Sequence, residues 1–137
     1  TRRLLEVPII ALAAERANPL ERDEIRAIAA GFTPDMGLRE FRELDQAFHA
    51  VIARACGNPL LVEVYAKVMA RLFQSEDIDR LLSSRANRTE VRKIVDEAAT
   101  QHAALAHAVA EGDVAMATDE GTAHLASVER GMIDRLV

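Results

Sequence analysis

Asp45 and His49 stand four residues apart in the run Leu44-Asp45-Gln46-Ala47-Phe48-His49, one turn apart on the same face of a helix. A carboxylate and an imidazole so placed can hydrogen-bond each other or share a metal ion, and this spacing alone does not choose between the two. Two further histidines shift the balance. His102 falls in the series Val91, Val95, Ala98, His102, Leu105, Val109, and His124 in the series Ala117, Gly121, His124, Val128, Met132. Both follow the three-and-four spacing of an inward helical seam, so each histidine takes a position where leucine would be ordinary. Between them Glu111-Gly112-Asp113 is a tight connection, with Gly ending one helix and Asp113 capping the next. Such a short turn makes the two helices antiparallel neighbours. His102 lies ten residues before Gly112 and His124 twelve after it, so at ~1.5 Å per residue both sit roughly 15–18 Å from the turn. The fourth histidine, His107, falls off the seam and is expected at the surface.

Three inward histidines and an aspartate cannot all satisfy one another, and a buried polar group without a partner is costly. A divalent metal shared by Asp45, His49, His102 and His124 would satisfy all four. Three imidazoles and a carboxylate suit zinc foremost, and also nickel, iron, cobalt or manganese; they do not suit calcium or magnesium. Four ligands in a site that expands to five or six leave positions for water or for the oxygens of an acid.

The elements that must position these residues are all helical. Half the residues are apolar, aromatic content is low and Trp is absent, and the abundant unbranched side chains favour helix over strand. A first helix is expected over about Arg2 to Ala17, with Leu5, Ile9, Leu12 and Ala13 inward and a kink or a start near Val7 caused by Pro8. Asn18-Pro19-Leu20-Glu21 has the spacing of a capping box and opens a second helix, which ends at Gly31 in an expected left-handed conformation. Phe32 to Gly37 is a loop. The Asp45/His49 helix runs from about Leu38 to Ala55, its apolar stripe made by Phe41, Leu44, Phe48, Val51, Ile52 and Ala55. Asn58-Pro59 opens the next helix, which Leu60, Leu61, Val64, Val68 and Leu72 carry to an end expected between Phe73 and Ser83, with Leu81 as an optional last member. Glu76 to Arg88 is polar and charged and reads as a connection, and Asn87-Arg88-Thr89-Glu90 again has capping-box spacing. The expected architecture is one all-α domain over residues 1–137, an antiparallel bundle of about six helices.

Composition narrows the function. With 17 basic and 22 acidic residues the net charge is −5, which argues against a nucleic-acid surface on this segment. No apolar run approaches the ~20 residues of a membrane span and no signal peptide is visible, so a cytoplasmic location is expected. Cys56 stands alone and reads as a small buried hydrophobe.

Arg2-Arg3-Leu4-Leu5-Glu6, Asp45-Gln46-Ala47-Phe48-His49, Cys56-Gly57-Asn58-Pro59-Leu60, His102 through Glu111-Gly112-Asp113, and His124-Leu125 together resemble the effector-binding domain, the FCD domain, of FadR-type GntR transcriptional regulators. The resemblance covers nearly the whole chain in order. It implies an all-α bundle that binds small organic acids, with Asp45, His49, His102 and His124 as metal ligands as in the metal-containing branch of that family. It also implies a DNA-binding winged helix-turn-helix domain that precedes this domain, so that the chain, opening at Thr1 where a helix already starts, is expected to be a fragment of a homodimeric regulator that meets DNA only through that part. Gln101 and Ala103 stand where the family often has Glu and a basic residue. Arg2 and Asn58 are the candidate effector-binding residues, with Arg54 and Arg71 as further arginines near a pocket. The expected ligand is a small carboxylate-bearing metabolite held beside the metal between Phe48, Ile52, Leu105 and Val128. The alternative is a metal-dependent hydrolase or oxygenase; against it, the chain has no H-E-x-x-H, no G-x-S-x-G and no paired carboxylates on facing helices. A purely structural metal is a third reading.

Overall fold

The capping box at Asn18 forms as its spacing predicts: the Asn18 side chain accepts from the Glu21 amide at 2.8 Å, and the Glu21 carboxylate accepts from the Asn18 amide at 3.0 Å. It opens α2 (Pro19–Ala30), the second of seven α-helices in the computed structural model, which describes residues 2–137; Thr1 lies outside them. The others are α1 (Arg2–Arg16), α3 (Leu38–Ala55), α4 (Pro59–Phe73), α5 (Glu76–Ser83), α6 (Arg88–Ala110) and α7 (Val114–Arg130), followed by a π-helical turn over Gly131–Arg135. No strand occurs among the described residues, and the all-α bundle is as expected. The seventh helix is α5, in the segment read as a connection. Ser75 caps it by accepting from the Ile78 amide, and Ile78, Leu81 and Leu82 give it a half-buried face.

The first helix keeps close to its expected span, running from Arg2 through Pro8 to Arg16. Pro8 deprives the Leu4 carbonyl of its partner, but Leu4 is 83% exposed, so water can serve that carbonyl. Three local expectations are corrected. Gly31 closes α2 at φ −75°, outside the left-handed region. Asn87 makes no capping bond; its side-chain amide donates to the Leu81 and Val137 carbonyls and its oxygen accepts from the Val137 amide, tying the end of the chain to α5. The inward face of α1 is centred on Glu6, Ile9, Ile10, Ala13 and Ala14, while Leu5 and Leu12 are only half-buried.

That last difference follows from the packing. α1 lies against α7, α3, α6 and α4, so burial extends around more than one side of it. Gly121 of α7 faces it, where a Cβ would come within 2.8 Å of Ile10 Cδ1; the missing side chain lets these helices approach closely. α6 and α7 are joined by Gly112 at φ +72° and pack side by side, which brings the His102 and His124 seams together. The main core gathers Ile9, Ile10, Ile25, Phe48, Ile52 and Leu105. A second apolar cluster of Met36, Phe41, Val91, Val95 and Ala98 lies between α3 and the first half of α6.

Arg22 fastens α2 to two helix ends. Its guanidinium donates to the carbonyls of Ala17 at 2.8 Å and Ala110 at 2.8 Å, with longer contacts to Ala14 and Val109, where terminal carbonyls have no helical partner and favour a cation. Charged hydrogen bonds contribute about 1.5–3 kcal/mol each and are not additive. Arg22→Met should therefore lower stability by about 2 kcal/mol in urea unfolding, with chelator in both samples, and leave metal stoichiometry unchanged. A loss under ~0.5 kcal/mol would assign Arg22 the energetics of an ordinary surface arginine.

Candidate metal centre

The four residues singled out by spacing meet. One ligand atom from each of Asp45, His49, His102 and His124 lies within 4.8 Å of all the others, and the three imidazole centroids are 4.6–5.4 Å apart. The histidines are buried and Asp45 keeps 16% of its side chain exposed. Asp45 Oδ1 lies 3.2 Å from His49 Nε2 and 3.1 Å from His102 Nε2. Ligand bonds of ~2.1 Å put ligand atoms ~3.4 Å apart in a tetrahedral set and ~4.2 Å apart where opposed, so the widest pair would close by up to ~1.4 Å around an ion.

The buried nitrogens provide a test of fit. Neither His49 Nε2 nor His102 Nδ1 or Nε2 has a well-aligned hydrogen-bond partner among the described residues, although buried polar groups are ordinarily satisfied. Two of these three atoms, the Nε2 pair, converge on Asp45. A nitrogen-rich, mostly buried set of three imidazoles and one carboxylate matches a transition-metal centre and not an oxygen-preferring calcium or magnesium site.

The groups behind the ligands are equally organised, and sequence reasoning missed the main one. Glu6 of α1 is 2% exposed, and its carboxylate pairs with His49 Nδ1 on one side and with Arg2 Nε at 2.7 Å on the other. A carboxylate behind a ligating histidine fixes the ring and its tautomer and strengthens the ligand. The visible signal was the position of Glu6, three and four residues before Ile9 and Ile10, with Arg2 one turn before it. Gln101 replaces the carboxylate expected before His102, and its amide serves a different ring: the oxygen accepts from His124 Nδ1 at 2.7 Å while the amide nitrogen donates to Ser127 Oγ at 3.0 Å. Ser127 thereby orients the amide, and His124 Nε2 is left as the available donor atom. Phe32 and Phe48 enclose His102, with ring centroids 4.4 and 4.6 Å away, keeping that side of the centre apolar.

Charge follows from these contacts. Burial disfavours a cationic His49, but Glu6 and Asp45 outweigh it and raise the imidazole to about 9. Burial would likewise raise Glu6, yet His49 and Arg2 hold it at about 2. Against the same burial, His49 and His102 keep Asp45 well below the usual carboxylate range. Burial pushes His102 and His124 down, His124 the more strongly with His49 beside it. Burial and the Glu6 carboxylate push the Tyr65 hydroxyl up, so it stays neutral. In the metal-free centre one imidazolium and Arg2 thus balance two carboxylates.

A cavity of about 600 Å³ adjoins the centre, with Arg2, Asp45 and His124 in its lining. Its walls differ from those expected. Val128 takes part, but Phe48, Ile52 and Leu105 lie in the main core behind the ligands, and Phe41, Leu72 and Val95 stand in their place. Arg71 lines this cavity; Arg54 does not, and pairs with Glu24 on the surface. Asn58 is also apart from it: its side chain caps α4 by accepting from the Leu60 and Leu61 amides. His107 is exposed and Cys56 fully buried, as expected.

One relative, the HTH-type transcriptional regulator LutR of Bacillus subtilis, is 30% identical over 131 residues, which is 93% of this chain and 57% of that protein. The chain therefore spans a little over half of that relative's length. No solved structure gives a significant match. The FCD domain family matches residues 1–127, nearly the whole chain, and the chain belongs to it.

Proposed function

We propose that this FCD domain binds one divalent transition metal, zinc foremost, through Asp45, His49, His102 and His124, and senses a carboxylate-bearing metabolite beside it. The observation that carries this is the convergence of buried imidazole nitrogens, two of them without aligned partners, on a single carboxylate. A bound dication would supply a Lewis-acidic centre with coordination positions beyond these four ligands.

The surrounding residues make the place selective for an anion. Displacing the His49 proton by a dication leaves Arg2 and the ion facing only Glu6 and Asp45, an excess of one positive charge that a ligand carboxylate neutralises. Arg2 lines the cavity, and its buried Nη2 has no hydrogen-bond partner among the described residues. It is the donor expected to meet a carboxylate oxygen.

The cavity is lined by residues from α1 and from α3 through α7, so a ligand there would touch most of the bundle. Differential binding to two arrangements of these helices is what a sensor requires. In a homodimeric regulator with helix-turn-helix domains, such a shift would change the spacing of the DNA-reading parts. Nothing in the centre resembles a nucleophile with its base, and a sensing role without turnover is the reading we adopt over a hydrolase or oxygenase. No helix among the described residues is long and apolar enough to cross a membrane.

Elemental analysis after loading at neutral pH and gel filtration should find one metal per chain, and none in a variant lacking both His102 and His124. Substoichiometric metal that washes away under these conditions would overturn the centre.

A further inference from the structure

We infer that the ligand of this cavity is a monocarboxylate with a long apolar body, an acyl chain or an arylalkyl group, and not a compact polyacid or a sugar acid. This rests on the metal–carboxylate reading above and names the class of acid. Asp45, His124 and Arg2, the groups of the metal centre, line the cavity together with four further charged residues, Arg3, Arg42, Arg71 and Glu129. The other fifteen lining residues are apolar, among them Phe41 of α3, Leu72 of α4, Leu82 of α5, Val95 of α6 and Val128 of α7. Among the described residues no Ser, Thr, Asn, Gln or Tyr lines it.

That composition decides between acid classes. Each hydroxyl of a sugar acid would surrender its bonds to water and find no neutral donor or acceptor in exchange, which is costly for every group so buried. A second or third carboxylate is served little better. Of the other cations in the lining, Arg3 is paired with Glu129 at 3.1 Å and Arg42 with Asp79 at 2.7 Å, and Arg71 is exposed to solvent. An apolar body loses nothing in the same place and gains by burial. The volume, about 600 Å³, lies within the range of sites for drug-sized ligands and far exceeds that of a two- or three-carbon acid. A head group anchored at the centre leaves the tail to run along the apolar lining, which includes Phe41, Val91, Val95 and Ala98 of the second apolar cluster.

Calorimetric titration of the zinc-loaded chain with acetate, butyrate, hexanoate and octanoate, alongside citrate and gluconate, tests this. Burial of each added methylene should tighten binding about three- to fourfold, so octanoate should bind on the order of a thousandfold tighter than acetate and well above citrate or gluconate. Val128→Glu and Leu82→Glu, at two half-buried wall positions and checked for helicity and metal stoichiometry, should flatten the series. The wild-type series stands by itself if either variant misfolds. A flat wild-type series, or citrate or gluconate above octanoate, overturns the apolar-body proposal and leaves the metal–carboxylate reading intact. A steep series that persists unchanged after chelation overturns the metal–carboxylate reading on which the proposal is built.

Discussion

His102→Leu should abolish stoichiometric metal binding and at the same time stabilise the metal-free protein. The first effect should exceed about 100-fold in affinity, because changing even a group behind a metal ligand costs about 10–100-fold and His102 is itself one of the four. The second has the opposite sign for a local reason. His102 is fully buried, both of its ring nitrogens lack aligned hydrogen-bond partners, and Phe32, Phe41 and Phe48 surround it. An unsatisfied buried polar group costs about 1–3 kcal/mol, whereas a leucine of similar volume would suit the aromatic surroundings. Imperfect shape and the lost neighbour of Asp45 offset part of the gain, leaving about 1 kcal/mol in favour of the variant. Urea unfolding in chelator should therefore rank the variant above wild type. With free metal a thousandfold above its dissociation constant, wild type should gain about 4 kcal/mol by mass action and the order should reverse. A variant that keeps its metal would remove His102 from the centre, and one that is weaker than wild type in chelator would show that the imidazole is satisfied without an ion.

The ligand set was legible because it depends on two local regularities, helical spacing and a short turn. His102 and His124 occupy seam positions, and Gly112 with Asp113 sets the register between their helices, so their meeting could be read without any other part of the fold. Glu6 was not legible in that way. Its burial depends on α1 having neighbours on several sides, which widens the inward arc beyond the stripe of Leu5, Ile9 and Leu12. Asn87 shows the same limit differently: its spacing is that of a cap, but Val137, fifty residues away, takes the side chain instead. The cavity wall was misassigned because two apolar clusters flank the centre. Phe48, Ile52 and Leu105 belong to one, and Phe41 and Val95 to the other; the sequence marks both as inward without saying which adjoins an open space. α5 was passed over because its charged residues dominate its composition, although Ile78, Leu81 and Leu82 have helical spacing.

Metal uptake near neutral pH should release one proton per chain, and that proton should come from His49. In the metal-free centre the imidazole lies between Glu6 and Asp45 and its pKa is raised to about 9, so below that pH it binds a proton that an incoming ion must displace. His102 and His124 are shifted down by burial and contribute no proton in this range. Only neutral imidazole ligates, and displacing one proton costs a factor of ten per pH unit. Apparent metal affinity should thus rise about tenfold for each unit between pH 7 and pH 9 and level off above it. Calorimetry in buffers of different ionisation enthalpy counts the proton directly. Glu6→Gln separates the two contributions of that carboxylate. Removing it withdraws the first charge that raises His49, so the levelling should begin at lower pH. It also weakens the acceptor behind His49 Nδ1, so the plateau affinity at pH 9 should fall by about 10–100-fold. Between the two, the loss caused by Glu6→Gln should be larger at pH 9 than at pH 7, because at neutral pH the variant also has less proton competition to overcome. A loss that is the same at both pH values, or wild-type uptake without proton release at pH 7.5, would show that His49 is neutral before the metal arrives.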